Sequence, residues 1–167
     1  MPLITLGLSE IVVGAVEASG DMPAAMTKIG ATYKDTCKLN QAAAEVAEHF
    51  EEGKAAPKVR KKSKKVPLLT FSIMDPDPQL LIDYVGGENV GTEQIPKWGF
   101  NGDEVVANKA IRAKSEQGLW VDIPNADIEA VINADMSAKG IFLVDFTVTP
   151  MAVPTGKKAI LAYEAPA

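Results

Sequence analysis

Side chains that carry chemistry are scarce in this chain: it has one cysteine, Cys37, and one histidine, His49. A single cysteine excludes an internal disulfide and any cysteine-based metal cage, and packing as a small buried thiol is its expected role. One histidine removes the common zinc sites. Any Ser-His or Cys-His pair would have to use His49, which sits in a run of alanine and glutamate. No apolar stretch approaches the roughly 20 residues of a membrane span. The opening MPLITLGLSEIVVGAVEASG lacks a basic n-region, and Ser9 and Glu10 interrupt its apolar run. It does not read as a signal peptide, so a soluble protein made in a cytoplasm is expected, without a membrane partner.

The remaining motif candidates are weak. PTGKK imitates the end of a phosphate loop, but Met151 stands where the first glycine belongs and Lys158 where a Ser or Thr would hold magnesium. GGENVG lacks dinucleotide glycine spacing and follows a helical pattern rather than a strand. Asp75 and Asp77 of DPDP are explained by helix capping better than by a cation site. No enzyme and no cofactor is expected.

What the chain does have is a globular composition and an uneven charge. Its 167 residues, 47% apolar and 23% charged, fit a single domain spanning 1–167 with a sizeable core. The formal net charge is −5, yet GKAAPKVRKKSKKVP, residues 53–67, holds seven of the seventeen bases and no acid. Without that +7 the rest of the chain sums to −12.

Glycine and proline cut the sequence into short pieces, the mark of a β-rich fold. Strands are predicted over 10–18 and within MTKIGATYKDTCKL, 26–39, where Ile29, Ala31 and Tyr33 alternate with polar neighbours. PLLTFSIMD alternates most cleanly, with Leu69, Phe71 and Ile73 on one side and Thr70 and Ser72 on the other. DPDPQLLIDYVGG predicts a short helix: Asp77 caps, Pro78 suits the first position and Gly86 stops it. Residues 88–104, around Trp98 and Phe100, read as a long surface loop. Further strands are predicted over 105–114, 118–123 and 140–149, and IPNADIEAVINADM is either a helical turn or another strand.

NQAAAEVAEHFEEGK has two readings. Propensity favours a helix with Asn40 as cap and Gly53 as stop. At period two, Glu45, Ala47, His49 and Glu51 share one face while Val46 and Phe50 share the other, with Glu48 breaking the pattern. The basic run that follows has three readings. A nucleic-acid grip is opposed by the absence of any aromatic in 53–67 and by the acidic remainder of the chain. A passive solvated loop is the second. The third is self-assembly, in which the basic loop of one copy docks on an acidic face of the next.

The order of SEIVVGAVEASGDMP, TKIGATYKDT, HFEEGK, PLLTFSIMDPDPQLLIDYVGG, AIRAKSEQGLWVDIPNADIEAVI and FLVDFTVTPMAVP resembles the tail tube (major tail) proteins of tailed bacteriophages. The resemblance covers nearly the whole chain and lies in layout and turn chemistry. It implies a mainly β fold, a β-sandwich or partial barrel with one flanking α-helix and a long hairpin loop. It further implies a structural virion protein made in the bacterial cytoplasm, assembling as homohexameric rings stacked into a tube. Other tail proteins would sit at the tube ends, and double-stranded DNA would pass through the lumen without specific binding. The related inner tubes of contractile injection and secretion machines share this layout.

On the same resemblance, 41–52 is a strand that pairs with 67–74 around the loop, which overrides the local helix preference. Lys58, Arg60, Lys61, Lys62, Lys64 and Lys65 of loop 53–67 become inter-ring docking groups. Glu45, Glu48, Glu51, Thr70 and Ser72 become candidates to line the lumen, where an acidic wall would repel DNA and let it slide.

Overall fold

Leu69, Phe71 and Ile73 alternate with polar neighbours, and all three are buried in a strand at the centre of the core. The structure, a computed structural model, describes residues 3–166. Met1, Pro2 and Ala167 of the expected single domain lie outside the described residues. The first half of the chain builds β1 (Leu6–Gly14), β2 (Thr27–Lys28), β3 (Lys38–Asn40), β4 (Glu45–His49), β5 (Val59–Ser63) and β6 (Leu68–Ile73). A helical segment follows, α1 (Pro78–Leu80) continued by a π-turn over Leu81–Val85. The second half builds β7 (Glu88–Asn89), β8 (Trp98–Gly99), β9 (Asn108–Gln117), β10 (Leu119–Ala134), β11 (Phe142–Pro150) and β12 (Leu161–Glu164).

The main sheet is antiparallel, in the order β2-β1-β9-β10-β11-β6-β3, with β12 also paired to β10. Its two sides are joined by one segment. Lys28 and Thr27 pair with Val12 and Val13, and the Ile29 N–H donates to the Ile11 carbonyl at 3.1 Å. Four residues further on, the Tyr33 N–H donates to the Ser72 carbonyl at 2.8 Å and the Met74 N–H donates to that of Ala31 at 2.9 Å. Hydrogen bonding to β1 and then to β6 curls the sheet into a partial barrel. Gly30 stands at the crossing with φ 153°, and a Cβ there would meet Ile73 Cγ2 at 2.9 Å, so only glycine fits.

Inward-facing residues of every long strand fill the interior: Ile11, Ile111, Ile123, Ile128, Val144 and Val148 are all but fully buried. Phe71 stacks on its cross-strand partner Phe146 with centroids 5.0 Å apart, and Tyr84 meets Phe146 edge-on at 5.3 Å. That contact, with buried Leu80 and Leu81, seats the helical segment on the sheet. The Asp77 side chain accepts from the Leu80 N–H at 2.7 Å, and the Gly86 N–H closes the π-turn on the Leu81 carbonyl.

The structure corrects several sequence-based boundaries. The first strand occupies 6–14 rather than 10–18, and 119–134 forms one 16-residue strand in which IPNADIEAVINA is extended. The register of β10 against β9 shifts between Ile123 and Ala126, where buried Pro124 has no N–H to donate. β9 stays paired on both sides of the shift, while the opposite edge of β10 takes β12 before it and β11 beyond it. Residues 88–104 form the expected loop, braced by a two-residue ladder between β7 and β8.

Candidate functional site

The basic run folds as one arm of a projecting hairpin. At its base β3 pairs with β6, Asn40 facing Leu68; five residues on along both strands, Glu45 faces Ser63 at the start of the β4–β5 ladder. Register is therefore continuous, although 41–44 and 64–67 lie outside any ladder. The Gln41 side-chain amide spans this gap by donating to the Lys65 carbonyl at 2.7 Å. At the far end the Lys58 N–H donates to the His49 carbonyl, and Gly53 turns the chain with φ 77°.

The expected pairing of 41–52 with 67–74 is thus corrected. β6 takes β11 on one side and β3, with the Thr32 bridge, on the other, so its ladder is filled and β4 pairs with β5. Expected loop 53–67 shrinks to the tip and the unladdered stem, because Val59–Ser63 is strand. The alternative helix over 41–52 is absent. Every residue of β4 and β5 is exposed, including Val46 and Val59, and Phe50 beyond β4 is 55% exposed.

Three of the seven cations are consumed within the hairpin. The Arg60 guanidinium donates to Glu48 Oε1 at 2.7 Å, Lys65 Nζ lies 2.6 Å from Glu45, and Lys58 Nζ lies 3.6 Å from Glu51. Lys54, Lys61, Lys62 and Lys64 have no ion-pair partner among the described residues. The basic run thus answers part of the chain's own acidity and keeps four free charges. Glu45 shares a face with its partner Ser63, and Glu48 shares the opposite face with Arg60. Glu45, Glu48 and Glu51 are therefore neutralised groups of a ribbon with two wet faces, separate from the sheet that carries Thr70.

A second surface lies on the outer face of β10, β11 and β6. Cross-strand pairs Asp127–Thr149, Glu129–Thr147 and Val131–Asp145 continue into Asp145–Ser72 and Thr147–Thr70. The row ends on a cation, because Lys38 of β3 pairs with Thr70. Thr70 is half-buried on this face, and Ser72 is only 8% exposed: its N–H donates to Thr36 Oγ1, and its hydroxyl donates to Asp145 Oδ1 at 2.5 Å. Asn133 donates to the other Asp145 oxygen at 2.9 Å. Asp127, Glu129 and Asp145 escape a reading of this surface from sequence alone. The signal for Asp145 is present in the alternation of GIFLVDFTVT, which sets Asp145 and Thr147 opposite Phe146 and Val148.

The other half of the sheet carries a closed polar network. Arg112 grips Asp122 through two hydrogen bonds of 2.7 and 2.9 Å and lies over the Trp120 ring. Lys114 lies over the same ring at 5.4 Å and donates to Glu10 at 2.7 Å, which holds the Glu10 carboxyl below its ordinary value. Burial pushes the Cys37 thiol up to about 11, away from the thiolate a nucleophile needs. Among the described residues no group of three His, Cys, Asp or Glu side chains is placed to hold a metal, and no helix is long and apolar enough to cross a membrane.

No protein-family model matches this sequence, and no curated protein matches it.

Proposed function

We propose that this chain is a structural subunit of a hollow tube of the phage tail kind, a virion protein whose hexameric rings stack into a conduit for DNA. The observation that carries the reading is the hairpin. A two-stranded ribbon is marginal by itself in water, and this one buries neither face within its own subunit. Its sequence nevertheless maintains continuous register, three internal ion pairs and exposed Val46, Phe50 and Val59. Such an arm finds its burial on another copy, with Lys61, Lys62 and Lys64 among its free charges and Lys58, Arg60 and Lys65 already paired within the arm.

The conduit wall in this reading is the outer face of β10, β11 and β6. Asp127, Glu129, Asp145 and Thr70 present acids and hydroxyls, with Lys38 of β3 opposite Thr70 as the cation at its edge, a net acidic surface that repels duplex DNA. The inner tubes of contractile injection machines require the same parts. The hairpin also fits a second reading, because a two-stranded ribbon matches the width of the DNA major groove and its free lysines would contact phosphate.

Negative-stain electron microscopy of the purified protein across a salt series tests the first reading. Hollow tubes or six-fold rings at low salt, dissolving as salt rises, are expected. Monomeric particles at every concentration and salt overturn it. A gel shift with duplex DNA that disappears on Lys61→Glu, Lys62→Glu and Lys64→Glu would install the second.

A further inference from the structure

We infer that the receptor for the hairpin is the loop 88–106 of a second copy, an assignment that rests on the assembly reading above. This loop is built rather than loose. The Val90 N–H donates to the Lys97 carbonyl at 2.9 Å, Asn89 Oδ1 accepts from the Gly91 and Lys97 N–H groups, and the Trp98 indole donates to the Gly86 carbonyl at 2.6 Å. Trp98 and Val105 also anchor it against the core, while its other apolar side chains face outward. Val90 is 61% exposed, Ile95 67%, Phe100 73% and Val106 81%. Trp98 and Phe100 meet edge-on at 6.1 Å, and Val90 lies against the Gly99 backbone, so Val90, Trp98 and Phe100 gather at the β7–β8 end. A pre-ordered surface of this kind loses little entropy when a partner covers it.

Charge selects the occupant. Loop 88–106 has four acids, Glu88, Glu93, Asp103 and Glu104, against one base, Lys97, a balance of −3. None of the four acids has an ion-pair partner among the described residues. Hairpin 45–65 has seven bases against four acids, a balance of +3, with four lysines unpaired. Both surfaces combine exposed apolar side chains with free charge of opposite sign, the composition of an interface with an apolar centre and a charged rim. The two surfaces belong to different parts of one chain, so the contact is heterologous and propagates from copy to copy instead of closing a pair.

A charge exchange tests the assignment. One variant carries Lys61→Glu, Lys62→Glu and Lys64→Glu; another carries Glu93→Lys, Asp103→Lys and Glu104→Lys. Sedimentation and electron microscopy should show loss of assembly for each variant alone and its return when the two are mixed, because each then meets a complementary partner. All six positions are exposed, and thermal unfolding curves matching the unaltered protein establish that each variant is folded. A second variant, Phe100→Ser, removes the apolar anchor without altering charge and should raise the concentration needed to assemble. Loop variants that assemble like the unaltered protein, while the hairpin variant fails, would overturn this receptor and leave the tube reading standing. An unaltered protein that never assembles would overturn both.

Discussion

Arg60–Glu48 on the hairpin and Arg112–Asp122 on the barrel are the same chemistry in two surroundings. Each brings an arginine Nε to 2.7 Å from a carboxylate oxygen across paired strands. The side chains of the hairpin pair are 48% and 34% exposed, whereas those of the barrel pair are 24% and 5%. Water screens the first pair and leaves it worth little to the fold. The second is held by two hydrogen bonds under the Trp120 ring, where removing one partner strands a charge. The molecule therefore gives its ion pairs two different roles. Those on the barrel maintain shape, and those on the hairpin set how much of its charge stays unpaired.

The contrast can be broken most forcefully from inside the barrel. Phe146→Ala removes the ring that stacks on Phe71 and receives Tyr84, and should cost about 4 kcal/mol in urea unfolding. A loss below about 1 kcal/mol would mean the core does not centre on this contact. Asp122→Ala should cost about 3 kcal/mol, because the Arg112 guanidinium is left without its carboxylate. Its matched counterpart Glu48→Ala should cost under about 0.5 kcal/mol by the same measurement, and that difference is the sharpest form of the comparison. Equal losses for the two variants would erase the division. The smallest effect concerns Cys37: burial raises its thiol, so alkylation at pH 8 should run slower than for a free peptide cysteine and accelerate as pH climbs toward 11. Peptide-like rates at pH 8 would contradict the burial.

The same division explains what could be read from the sequence. PLLTFSIMD and GIFLVDFTVT sit with one face on the core, so burial wrote a period of two into them. The cap at Asp77 is local chemistry and was equally legible. VRKKS has no inner face, and its strand state comes from the register set at Asn40–Leu68, a long-range cause without a local signature. In EVAEH, alanine and glutamate favour a helix, and pairing with β5 overrides them. The acidic outer face was hidden for a related reason: Asp127, Glu129 and Asp145 come from two strands and form one surface only once their registers are fixed. The length of β10 escaped because Pro124 and Asn125 look like a stop and are instead a bend within a continuing strand.

The unladdered stem at 41–44 and 64–67 has a mechanical consequence. A ribbon continued directly from β3 and β6 would be as stiff as the sheet, and any displacement of a bound neighbour would load the barrel's own ladders. Here two short spans without backbone cross-links, braced by the Gln41 side chain at 2.7 Å and the Lys65–Glu45 ion pair, form a compliant joint between rigid members. Bending concentrates at that joint, so the arm can tilt while the barrel keeps its shape.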